Sequence, residues 1–240
     1  MRVRLMDARL AAAAVLLFLS VPSLGQPLNQ PVIQQGKKDG PAPRALDGKV
    51  DLTGVWIVSG NPNLPSNPAY LPMAQKLYDE RRASGGKGDP EKACLPNGVV
   101  RIEPQPYKIV QTPKLVVMLS EGNVHSYRRF FLDGRPRNLD VEPNTWNGNS
   151  LGHWEGDTLV VDTLGFNDKS WLDGTGKPHS EALHVIERYR RPDLGHLEIA
   201  YTLEDSEAFS MPYTFSRTFT RVVGQDLKEY FCAMDSFAGK

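Results

Sequence analysis

From residue 108 onward the chain alternates apolar and polar side chains with a period of two, the pattern of a strand with one buried face. The clearest runs are 196–203, which puts Leu197, Ile199, Tyr201 and Leu203 on one face, and 213–221. The latter sets Tyr213, Phe215, Arg217, Phe219 and Arg221 against Thr214, Ser216, Thr218 and Thr220. Shorter runs at 108–111, 114–120 and 125–132 read as strands, the last two joined through Glu121-Gly122-Asn123. A single helix is expected over 71–84. Pro72 suits its first position, Leu71, Ala74, Leu77 and Tyr78 share a face, Arg81 and Arg82 suit its last turn, and Gly85-Gly86 ends it. About eight or nine short strands after one helix predict a mainly β fold, an antiparallel barrel or a strongly curved sandwich, as a single domain over 50–240.

The termini and charge set the compartment. Residues 1–25 read as a secretory signal, with Arg2, Arg4 and Arg9 ahead of an apolar run at 10–21 and small residues at Ser23 and Gly25. That run is shorter than the roughly 20 residues of a membrane-spanning helix, and no later stretch approaches it, so no membrane span is expected. The chain carries 28 Lys and Arg against 28 Asp and Glu, and loss of the signal leaves it slightly acidic. Such a balance gives no electrostatic footprint for nucleic acid or an anionic membrane. Residues 26–49, rich in Pro, Gln, Gly and Lys, read as a flexible leader. In a periplasmic or secreted protein the two cysteines, Cys94 and Cys232, are expected to pair, with two buried free thiols as the alternative.

Two resemblances follow from longer motifs. The Gly54-Val55-Trp56 triplet in Asp51-Leu52-Thr53-Gly54-Val55-Trp56 resembles the first-strand signature of lipocalins and their calycin relatives, which implies a tryptophan plugging the closed end of an antiparallel barrel. Together with Cys94-Leu95-Pro96, Asp133-Gly134-Arg135, Trp154-Glu155-Gly156-Asp157-Thr158-Leu159-Val160-Val161 and Leu183-His184-Val185-Ile186-Glu187-Arg188, the Asp51–Trp56 opening is also similar to a group of uncharacterised exported bacterial proteins. That second resemblance implies an exported β-rich domain and carries no catalytic role.

Candidate chemistry concentrates in residues 146–191, where tryptophans, histidines and carboxylates gather. An imidazole beside a carboxylate is suited to moving a proton on a bound substrate, so His179 is the expected proton carrier and Asp168 or Glu181 its partner. Arg217, among aromatic residues on its strand face, is the expected anion-stabilising group if that face is the interior. The alternative has Arg217 and Arg221 snorkelling outward from an exposed face, or pairing structurally with Glu187. Trp146, Trp154 and Trp171 are expected pocket walls, with His184, Tyr201 and Tyr213 completing the substrate-binding set. His179, Glu181 and His184 are metal-ligand types, but their odd spacing on a strand points the imidazoles to opposite faces, so no metal is expected. Gly148-Asn149-Ser150-Leu151-Gly152 lacks the strand-to-helix setting of a nucleophile elbow, and no phosphate loop is present, so no cofactor is expected. The sequence therefore reads as an exported, cofactor-free enzyme, a lyase, isomerase or hydrolase acting on a small aromatic or polycyclic organic molecule. A non-catalytic carrier of lipocalin type is the alternative, and an envelope-interaction domain without a cavity is the third reading.

Overall fold

Among the described residues nine strands close into one barrel in sequence order. They are β1 (Gly54–Val58), β2 (Tyr107–Gln111), β3 (Leu115–Ser120), β4 (Tyr127–Phe131), β5 (Asn149–Glu155), β6 (Thr158–Leu164), β7 (His184–Arg190), β8 (His196–Glu204) and β9 (Tyr213–Val222). This computed structural model describes residues 39–101, 105–122, 126–139, 144–230 and 232. The expected export signal at 1–25, the first part of the leader, and the Asn123 turn and His125 strand start lie outside the described residues. Among the described residues no helix is long and apolar enough to cross a membrane.

The barrel is closed rather than an open sandwich, because β9 returns to pair with β1 from Val55↔Val222 to Val58↔Phe219. Its strands are not all antiparallel, as the sequence reading had them: β4 and β5 run parallel, joined only at Phe130↔Ser150 and Phe131↔Leu151. A parallel neighbour needs a long crossover, which residues 132–148 supply. Between β5 and β6 the chain turns in a two-residue hairpin, Gly156-Asp157, with Gly156 at φ 59°.

Alternation in each strand fills the interior. Trp56, Ile109, Phe130, Tyr189, Leu197, Ile199 and Phe219 are each less than 2 % exposed. Trp56 lies beneath the Arg191 guanidinium, 4.9 Å from the ring centroid, and donates from Nε1 to the Leu52 carbonyl at 3.1 Å. Arg191 in turn donates to the carbonyls of Asp51 and Leu194, and burial draws its pKa down to about 10. One ion pair is buried among these side chains. Both Nη atoms of Arg128 bind the carboxylate of Glu187, which also accepts from the Tyr189 hydroxyl at 2.9 Å. Burial alone would lower the Arg128 pKa, but the Glu187 charge raises it on balance. A charge pair out of water persists only with this kind of mutual satisfaction.

Outside the barrel, α1 (Pro72–Ala83) begins at the expected proline and ends before Gly85 and Gly86, both at positive φ. Its buried line is Ala74 and Tyr78; Leu77, expected with them, is 38 % exposed on the rim of a groove described below. The described end of the leader packs back on the barrel: Pro41 bridges to Asp193, and Arg44 grips the turn residue Asp157 at 2.5 and 2.8 Å. Cys94 and Cys232 form the expected disulfide.

Candidate functional site

The connection from β6 to β7, residues 165–183, has no regular structure, yet it buries Phe166, Trp171, Leu172, Asp173, Lys177 and His179. A buried loop must satisfy its polar groups internally. Asp173 supplies much of this, accepting from Thr175 N and Oγ1, from Leu64 N at 3.0 Å and from Lys177 Nζ at 2.7 Å. Helix α1 holds the loop from the other side, with Arg81 over the Trp171 ring at 5.1 Å and Lys177 Nζ 5.7 Å from the Tyr78 centroid.

His179 is held at both ring nitrogens. Nδ1 lies 2.9 Å from the Ser180 carbonyl, which can only accept, so Nδ1 carries the proton. Nε2 is thereby the free base, 2.7 Å from Ser170 Oγ, whose hydroxyl donates to it. Ser180 is fixed by Asp205, which accepts from its backbone N and its Oγ, both at 2.7 Å. Burial lowers the His179 pKa; the hydrogen bond to Ser180 and the charges of Asp205 and Asp168 work the other way without reversing it, and Arg81 adds to the lowering. The imidazole is neutral at pH 7, as a general base must be.

His179 lines an open groove of about 610 Å³ between the loop and α1. Asp168 and Glu181, both exposed, line it too, and Met73 and Leu77 form its apolar edge. Three of the four expected catalytic residues are thus gathered here, although neither carboxylate is the hydrogen-bond partner of His179. Arg217, the fourth, points into the barrel, where Nη1 donates to the Val100 carbonyl at 3.0 Å and the guanidinium lies 5.2 Å from the Phe215 ring. The interior reading of its strand face is the right one, but what it meets is a backbone carbonyl.

The expected substrate-binding residues do not share one site. Trp171 is buried within the loop itself, Trp154 packs against the barrel core, and Trp146 lines a separate groove beside β4. His184 sits between Asp162 at 3.0 Å and Glu204 at 3.1 Å, away from the His179 groove. Tyr201 stacks on Phe215 at 4.7 Å beside a recess of about 40 Å³, on the order of one or two waters. The Tyr213 hydroxyl is taken up by Ser66. Sequence reasoning missed Ser170, Ser180 and Asp205. Ser170 stands nine residues before His179 in a polar loop, and nothing in such a spacing marks a contact.

No protein-family model matches this chain, and a search of the curated proteins finds no match either. The fold and the groove define it as a closed, mainly β barrel with one α-helix among its described residues.

Proposed function

We propose that the protein is an exported, cofactor-free acid/base enzyme that takes a small aromatic or polycyclic organic molecule into the groove beside α1. The observation that carries this reading is the fixed tautomer of His179. A neutral imidazole with its basic nitrogen on a serine hydroxyl can withdraw that proton as Ser170 Oγ attacks a substrate, or as the same oxygen takes up a proton from the substrate in its place. The imidazolium so formed keeps its Nδ1 bond to Ser180 and gains from the nearby charges of Asp168 and Asp205. Of the lyase, isomerase and hydrolase chemistries, this arrangement favours the hydrolase. Export is supported by the basic-then-apolar start of the sequence and by the Cys94–Cys232 bond, which belongs to oxidising compartments.

The test is a screen of small aryl esters and lactones with the oxidised protein. His179→Ala and Ser170→Ala should each reduce kcat/KM by at least about 100-fold, the usual scale for general base catalysis. Because burial lowers the His179 pKa and the base must be unprotonated, kcat/KM should hold above neutrality and its acid limb should lie below the range of a free imidazole. Full turnover in both variants would remove the assignment.

A further inference from the structure

Beside the two-pair seam between β4 and β5 lies a second groove, of about 510 Å³. Phe131 and Trp146 form apolar walls, and Arg128 and Arg129 line it as successive residues of β4. The small recess at the barrel mouth shares Ser126, Arg128 and Asn147 with this groove. Among the described residues no Asp or Glu lines either space.

The two arginines are in different states. Arg128, 9 % exposed, gives both Nη atoms to Glu187 inside the barrel, and its Nε is buried with no hydrogen-bond partner among the described residues. Arg129 is exposed and sits 5.9 and 5.4 Å from the Tyr127 and Phe131 rings; among the described residues it makes no ion pair. Asn147 Nδ2 donates to Ser126 Oγ and to the Tyr127 carbonyl, closing the β4 edge where β5 does not reach it, while its Oδ1 is buried with no partner among the described residues. A buried acceptor left without a donor is costly, so a ligand that donates to Asn147 Oδ1 recovers that cost.

We infer that the β4–β5 seam binds a small aromatic anion bearing a hydroxyl beside its carboxylate, an aryl hydroxy acid. The carboxylate meets Arg129 on the outer face of β4, the hydroxyl donates to Asn147 Oδ1, and the ring lies against Trp146 and Phe131. This site stands independently of the His179 groove.

Calorimetric titration of the full oxidised chain with 2-naphthylglycolate, and with the neutral 2-naphthylmethanol as control, tests the inference. The hydroxy acid should bind at least tenfold more tightly than the alcohol. Arg129→Gln and Trp146→Ala should each weaken it at least tenfold, and because both residues lie outside the core these variants should stay folded. Ser170→Ala should leave the affinity unchanged. Equal affinity for acid and alcohol, affinity that survives both seam substitutions, loss of binding in Ser170→Ala, or no binding at all would each overturn it.

Discussion

Glu187 is fully buried, and its oxygens are shared among the two Nη atoms of Arg128 and the Tyr189 hydroxyl. This trio is the costliest polar group in the barrel to disturb, because removing one member strands the others in a medium that cannot solvate them. Arg128→Met should cost about 3–5 kcal/mol of unfolding free energy. The triple variant Arg128→Met, Glu187→Leu, Tyr189→Phe should be more stable than that single variant, since it leaves no buried polar group unpaired. Urea denaturation followed by circular dichroism decides it, and a triple variant weaker than the single one would mean that shape rather than charge holds this layer. Parity along residues 184–190 already places Val185, Glu187 and Tyr189 on one face. The partner was not legible. Arg128 stands 59 positions away, and only the barrel's register brings it across, so a sequence reading offered Arg217 or Arg221 for the same carboxylate.

At the scale of elements, period and punctuation were readable, while strand direction was not. Alternation is the same in parallel and antiparallel neighbours, and residues 132–148 look like a loop whether they end in a hairpin or a crossover. The helix was legible from Pro72, Arg81, Arg82 and the paired glycines, but its buried face was overestimated by Leu77, because a helix leaning on one loop needs only the Ala74–Tyr78 line. The 165–183 connection drew notice through its composition; its internal bonding depends on which polar groups the fold encloses. The entry to β5 shows how tight that enclosure is. Gly148 has φ 62°, and a Cβ there would stand 2.7 Å from Thr163 Cγ2 and 2.8 Å from the Leu164 carbonyl oxygen. Backbone cannot yield as a side-chain tip can, so Gly148→Ala combines left-handed strain with overpacking and should cost about 2–4 kcal/mol. The β4–β5 seam should loosen with it, raising hydrogen exchange at β5 amides above that of β8 in the same variant. Uniform exchange across the barrel would place the strain elsewhere.

For the whole molecule, closure and crosslinking are separate devices. The β1–β9 ladder closes the barrel within residues 54–222, whereas the disulfide ties Cys94, just before the 97–101 segment at the barrel mouth, to Cys232 beyond the last strand. The bond spans 138 positions, so in the unfolded chain it restrains nearly the whole barrel; in the chain-entropy picture that restraint is worth up to about 5 kcal/mol. In the native state it restrains little beyond the mouth segment, which Arg217 already grips through the Val100 carbonyl. Replacing both cysteines with serine should therefore lower the urea midpoint substantially, yet leave the native β signal in circular dichroism and the closed barrel intact. The same shift should follow reduction of the wild-type protein and be absent when reductant is added to the Ser variant. If the midpoint of the Ser variant matched that of the oxidised protein, the unfolded chain would have to be held compact by something other than this bond. If the Ser variant instead lost its β signal without denaturant, closure would depend on the mouth being tied down, and the strand ladder alone would not be sufficient to hold the barrel.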